Sequence, residues 1–261
     1  MTPEIKTVLI TGAAQGLGLT AATLLAQREY RVILVDIQSV EAQVQRLRGL
    51  GQEAHGICGD LSSEAFVLGL AQRIAGEYGA IDGLVNNAGI SLIVPAEKTS
   101  AAQWQRVMAI NLFAPFLLCR YLGAQMLTRR SGSIVNVASI AGLAGVSHRC
   151  AYNASKHGLV GLTQTLAAEW GGRGVRVNAV CPGWIKTEMD SADQGAGAYS
   201  DEDIVDRVPQ ARFAHPQDVA EAIVFLLDAS RSGFINGVSL PVDGGWLADA
   251  SWNSLRLGTR A

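Results

Sequence analysis

Thr7-Val-Leu-Ile-Thr-Gly-Ala-Ala-Gln-Gly-Leu-Gly18 is the stretch from which the architecture can be read. Thr7 to Thr11 is apolar and β-branched without polar alternation, the pattern of a strand buried on both faces. Glycines follow immediately, and from Leu17 to Gln27 the chain becomes rich in Ala and Leu, a helical composition. Glycine allows a tight turn and close backbone approach, while a helix N-terminus offers free N–H groups and a positive dipole end to a pyrophosphate. A glycine-rich loop alone is weak; between a strand and a helix it meets the dinucleotide fingerprint. Gly12, Gln15, Gly16, Leu17 and Gly18 are therefore candidate cofactor contacts.

The same alternation continues outward. Further strands are expected at Arg31 to Asp36, Ala54 to Cys58, Gly83 to Asn86, Ser133 to Val137, Val175 to Cys181 and Val238 to Pro241. Helices are expected at Val40 to Arg48, Glu64 to Tyr78, a pair within Ala101 to Thr128, Ala151 to Trp170, and Asp218 to Leu227. Strands without alternation, separated by helices, imply a parallel sheet covered on both faces: a doubly wound, Rossmann-type α/β fold of about seven strands, in one domain spanning 1–261. One irregular connection, Glu188 to Ala214, is rich in Asp, Gly, Ala and Ser; a connection of that length is read as a lid or as disordered.

The chain has 261 residues, 49% hydrophobic and 17% charged, with a net charge of -2. That balance lacks the basic field nucleic acid requires. Met1 to Lys6 is short and polar, so no secretory signal is read, and no apolar stretch is seen to approach the ~20 residues of a membrane span. Cys58, Cys119, Cys150 and Cys181 are scattered without a C-x-x-C pair, consistent with reduced thiols in the cytoplasm and with no metal site.

Asp36 ends the second strand about 18 residues beyond Gly18, where a carboxylate can accept hydrogen bonds from an adenosine ribose diol. It would repel a 2′-phosphate, and neither Gln15 nor Ile37 supplies a cation, so NAD is expected over NADP. The plainer reading of Asp36 is a helix cap. Asp60, before Leu61, falls at the same sheet edge, where it can meet an adenine amino group or cap the next helix. Asn86-Asn87-Ala88-Gly89 closes the fourth strand at that edge, to brace the sheet or to line an adenosine pocket; spacing does not separate the two.

Ser139 follows the fifth strand, and Tyr152-Asn-Ala-Ser-Lys156 places a phenol and an ammonium one helical turn apart. A phenol titrates near 10, so acid/base work near neutrality needs its anion stabilised by about 4 kcal/mol, to which a nearby fixed cation contributes. As a bare pair, Tyr and Lys at this spacing usually mark a solvated helix face. With the glycine turn, Asp60-Leu61, Asn86-Asn87-Ala88-Gly89, Asn111, Ser139 and Pro182-Gly183 with Thr187 in this order, the chain resembles the short-chain dehydrogenase/reductase family, in its variety of about 250 residues, to about Trp246.

The resemblance implies that Tyr152 is the acid/base on a carbinol or carbonyl oxygen and that Ser139 hydrogen-bonds the same oxygen. It implies that Lys156 binds the nicotinamide ribose and lowers the phenol pKa, and that Asn111 holds a water linking Lys156 to solvent. The plainer reading of Asn111 is an amide satisfying backbone at a helix irregularity. Pro182, Gly183, Ile185 and Thr187 would contact the nicotinamide carboxamide.

By the same analogy, Ser91 to Pro95, Ala141 to Cys150, Trp184 and the lid would line the substrate side. Ile140, Leu143, Val146 and Trp184 would form an apolar wall there, with His148 and Arg149 nearby as surface or packing residues that could also reach polar substrate groups. Helices around Trp104 to Leu127 and Ala151 to Trp170 would form the interfaces of a homotetramer, or their apolar surface is ordinary core, and Trp246 and Trp252 in the tail 246–261 could reach a neighbour. The expected activity is NAD-dependent interconversion of a secondary alcohol, such as a sugar or polyol, and its ketone. Oxidation is the expected direction, with no nucleic acid or membrane partner. Reduction of a 3-oxoacyl thioester on a carrier protein, and nicotinamide binding without turnover, are the alternatives.

Overall fold

The computed structural model describes residues 5–195 and 199–258. Its centre is one parallel sheet of seven strands: β1 (Thr7–Thr11), β2 (Arg31–Asp36), β3 (Ala54–Cys58), β4 (Gly83–Asn86), β5 (Gly132–Val137), β6 (Val175–Pro182) and β7 (Ser239–Val242). The spatial order is β3-β2-β1-β4-β5-β6-β7. The winding direction reverses between β1 and β4, and ligands of open α/β sheets sit beyond the carboxyl ends of strands at such a reversal.

Strand side chains alternate between two cores, which is why the sequence shows no polar alternation. Val8, Ile10, Val32 and Leu34 pack on one face with α1 (Gly16–Gln27), α2 (Glu41–Gly49) and α9 (Pro216–Leu227). Leu9, Ile33, Val35 and Leu84 pack on the other with α3 (Glu64–Tyr78), α5 (Ala114–Arg129) and α6 (Cys150–Trp170). Burying each such side chain is worth about 1.5–3 kcal/mol before the cost of ordering the chain.

Three expectations need correction. The helical pair within Ala101 to Thr128 is one continuous run: α4 (Ala101–Met108), a π-helical turn over Ala109–Phe113, and α5. At 29 residues it is long and apolar enough to cross a membrane, contrary to the sequence reading; half of its apolar window is buried inside the fold. Leu117, Leu118, Leu122 and Met126 of that run belong to the core shared with α3, as in a core helix.

The irregular connection is not structureless. It carries α7 (Glu188–Gly195) and α8 (Asp201–Arg207), while part of it lies outside the described residues. Its base is pinched shut: Ile185 pairs with Ala214, Lys186 N donates to Ala214 O at 3.3 Å, and Ala214 N donates to Trp184 O at 2.9 Å.

The tail, whose last three residues lie outside the described set, folds back onto α8. The Arg207 guanidinium stands 4.7 Å from the Trp246 ring and donates to Trp246 O and Asp249 O. Arg256, in α11 (Asn253–Gly258), donates to Asp206 O at 2.7 Å. Trp252 stays 70% exposed.

Candidate active site

The glycine turn owes its shape to steric limits. Gly12 has φ +65°, and a Cβ there would stand 2.8 Å from Ala88 Cα; one on Gly18 would stand 2.1 Å from Gly12 O. The Asn87 amide donates to both Thr11 O and Gly12 O, at 2.9 and 3.0 Å, and the Thr11 hydroxyl accepts from the main-chain N–H of Asn87 and of Ala88. Asn87 thus braces the turn while also facing the cleft beside it. Asn86 is a brace alone, donating to Asn136 Oδ1 at 2.8 Å within the sheet.

A cleft of about 420 Å³ lies along the carboxyl edge at the β1/β4 reversal. Gly12, Gln15, Gly16 and Leu17 line it, followed by Asp36 with Ile37 and Asp60 with Leu61. Asn87, Ala88 and Gly89 form its floor, and Pro182, Gly183, Ile185 and Thr187 its far wall, with Ser139, Tyr152 and Lys156 between. Two expected contacts do not face it. Gly18 is packed against Gly12 behind the turn, and Asn111 is buried below the floor.

The turn suits a dinucleotide phosphate. Gln15 gives α1 no side-chain cap and no acidic residue sits in its first turn, so the N–H groups there are left for an anion. The Glu188 carboxylate is drawn over the same turn, 3.1 Å from where a Cβ on Gly16 would stand. Asp36 is not a helix cap: its two oxygens accept from Ala14 N and Gln38 N, both at 3.0 Å, which fixes the carboxylate at the cleft rim. Asp60 does not cap α3 either, since Ser63 does; its carboxylate accepts from Ser62 N, which holds its pKa below the ordinary value. Arg106 lines this end as well, a cation not weighed in the sequence.

The Lys156 ammonium is buried, donates to Val137 O at 2.7 Å and lies 5.6 Å from the Tyr152 ring centre. Burial drops its pKa to about 8. Burial also raises the Tyr152 phenol, opposed by the neighbouring Ser139 hydroxyl and by the Arg149 charge. The Asp193 carboxylate paired with Arg149 pushes the phenol the other way. The Asn111 side chain is engaged with Ile90 N, Ile90 O and Ser155 Oγ, at 2.9, 3.0 and 3.2 Å, within the π-helical turn. This matches its plainer reading, and it sets the floor under Gly89, where a Cβ would lie 3.6 Å from Lys156 Nζ.

At the substrate end, Ile140, Val146 and Trp184 line the cleft, whereas Leu143 points away and is 38% exposed. His148 is exposed with φ +61°, the surface reading, whereas Arg149 is buried, the packing reading. Its guanidinium lies 5.8 Å from the Tyr152 ring and 5.3 Å from the Trp184 ring, donating to Ser91 Oγ at 2.8 Å and Asp193 Oδ2 at 3.0 Å. Asp193, Asp190 and Tyr199 enter this wall from the connection, and their spacing in sequence gave no signal of it. Among the described residues no cluster of His, Cys, Asp or Glu could hold a metal ion.

A doubly wound sheet with a dinucleotide turn at its reversal, and Ser, Tyr and Lys converging on the same cleft, defines a nicotinamide-dependent oxidoreductase of alcohols and ketones. The chain belongs to the short-chain dehydrogenase/reductase family. The family model described as enoyl-(acyl carrier protein) reductase matches residues 12–247. The chain is 39% identical to the D-threitol dehydrogenase of Mycolicibacterium smegmatis over 243 residues, 92% of each chain. It is 35% identical to the 3-oxoacyl-[acyl-carrier-protein] reductase FabG of Thermotoga maritima, over 93% of this chain and 98% of that one. A solved gluconate 5-dehydrogenase from Burkholderia cenocepacia, in complex with NADP and tartrate, superposes with a TM-score of 0.87 at 30% identity, covering 94% of this chain and 96% of that one.

Proposed function

We propose that the chain is an NAD-dependent dehydrogenase that oxidises a small secondary alcohol, a sugar or polyol, to its ketone. The observation that carries the cofactor choice is Asp36, held at the rim by Ala14 N and Gln38 N with the apolar Ile37 beside it. A carboxylate so fixed accepts from two ribose hydroxyls and disfavours a phosphate ester in their place. The glycine turn would hold the pyrophosphate, Lys156 the nicotinamide ribose, and Pro182, Gly183, Ile185 and Thr187 the carboxamide. The cofactor supplies the hydride acceptor.

The residues handle the proton. Tyr152 takes the carbinol proton as the C–H bond breaks, Ser139 donates a hydrogen bond to the same oxygen, and Lys156 offsets the charge left on the phenol. A water on the Asn111 side of Lys156 then carries the proton to solvent. The likeness to D-threitol dehydrogenase supports a polyol substrate, and intact Ser139, Tyr152 and Lys156 weigh against binding without turnover. The likeness to FabG supports a second reading, reduction of a 3-oxoacyl thioester. We also propose a homotetramer assembled through the α4–α5 and α6 faces.

The test is reduction of NAD⁺ and of NADP⁺, followed by absorbance, across polyols, sugars, hydroxy acids and simple secondary alcohols, with acetoacetyl-CoA and NADPH in the reverse direction. Turnover of a polyol with NAD⁺, and a narrowed NAD⁺/NADP⁺ ratio in Asp36→Ala, is the expected result. Activity confined to the thioester with NADPH would replace this reading by the second.

A further inference from the structure

The substrate end of the cleft has a charge arrangement that the chemistry of hydride transfer does not require. Arg149 is buried; its Nη1 donates to Ser91 Oγ and its Nη2 to Asp193 Oδ2, which also accepts from Ser91 Oγ at 2.9 Å, and the Asp193 side chain is 16% exposed. The guanidinium is fixed between the Tyr152 and Trp184 rings. The other cation at this end, Lys156, is turned to Val137 O. Asp190, in the same wall, is matched by Lys186 at 3.3 Å and by the hydroxyl of Tyr199, itself a lining residue, at 2.7 Å. Trp184 Nε1 is buried at the same wall with no hydrogen-bond partner among the described residues. An orphaned buried donor is costly unless something fills it.

Resting on the alcohol-oxidising reading above, we propose that the Arg149–Asp193 pair makes this cleft selective for uncharged polyhydroxy alcohols over sugar acids. A vicinal diol has both polarities: one hydroxyl donates to Asp193, while a second oxygen accepts from Arg149 or from Trp184 Nε1. A carboxylate has acceptors only. Near Arg149 it must either meet the Asp193 charge or displace a carboxylate already in place, exchanging one ion pair for another with nothing gained. Arg149 anchors the substrate; Asp193 decides its charge.

The experiment compares D-threitol with D-threonate, a pair of four-carbon ligands differing by one carboxylate, on the full chain. Binding is read by titration calorimetry in the presence of NADH, and turnover by NAD⁺ reduction. The wild type is expected to favour threitol by at least about tenfold in both. Asp193→Asn, which keeps the shape and removes the charge, should raise threonate affinity by about tenfold or more and lower that of threitol. Asp193→Glu should keep the wild-type preference.

A wild type that prefers threonate overturns the proposal. So does an Asp193→Asn variant, folded by its melting curve, that weakens both ligands equally, since that is the mark of a purely structural lid contact. Absence of binding by either ligand overturns it too. If calorimetry shows the expected reversal while no alcohol is oxidised, the selectivity stands and the dehydrogenase reading fails.

Discussion

Tyr152 is placed where burial raises its pKa while a hydroxyl and a guanidinium work against that rise. Tyr152→Phe removes the proton acceptor and little else, so turnover should fall by about 10²–10⁴ while NADH affinity, read by fluorescence titration, is nearly unchanged. Lys156 gives a second prediction from its pKa of about 8, against an ordinary 10.5. Below about pH 8 the lysine is charged in both states and the folded protein bears the whole desolvation penalty. Between 8 and 10.5 the unfolded chain binds the extra proton, so the lysine's contribution to stability rises with pH. Urea melts of wild type and Lys156→Met at pH 7.5 and 10 should show the difference moving in favour of wild type, by up to about 3 kcal/mol. The residues of the motif were legible because each stands at a fixed distance from a strand end. The pairing of Arg149 with Asp193 was not, since only folding brings 44 positions of separation to a 3.0 Å contact.

At the scale of elements, the glycine turn behaves as one rigid piece with α1. A Cβ on Gly18 would fall 2.1 Å from Gly12 O and 2.5 Å from Asn87 Nδ2, so neither the turn nor its brace can remain in place. Gly18→Ala should lower the denaturant midpoint by an amount equivalent to about 1–3 kcal/mol or more, and weaken cofactor binding although Gly18 does not face the cleft. Strand and helix identities were readable from period and composition, and the boundaries moved by only one or two residues. A helix irregularity was offered at Asn111, but its π-helical form over Ala109–Phe113 was not readable, because one extra residue in a helical turn leaves the apolar pattern nearly intact. The short helices α7 and α8 were missed for a different reason: they are polar, and α8 is set by the Ser200–Asp203 capping box rather than by an apolar stripe.

Across the whole molecule, one surface stands out. Phe113 is 45% exposed and Phe116 39%, their rings stacked 6.1 Å apart, with Trp104 39% exposed on the same helical run. If this face is a subunit interface, Phe113→Arg should shift the mass measured by light scattering from tetramer towards dimer or monomer, with the melting curve of the subunit retained. A monomeric wild type would remove the assembly proposal. A parallel sheet covered on both faces follows from the strand–helix alternation visible in sequence, whereas the strand order comes only with the fold, and the pairing of the tail with α8 rests on Arg207 and Arg256 reaching main-chain oxygens, which no pattern of side chains announces.

The pinched base of the lid has a consequence for how the protein can change. Ile185 and Ala214 close the segment between them at a single bridge, while Thr187 and Glu188 at its start stay at the glycine turn and Arg207 of α8 stays tied to the tail. Closing a loop costs only about 0.6 kcal/mol more for each doubling of its length. Changes of length between Glu188 and α8 would therefore cost little in folding while rewriting the wall that meets the substrate. In evolutionary terms that stretch is a socket: new specificities can be tried there while Thr187 and Glu188 keep their places at the cofactor half.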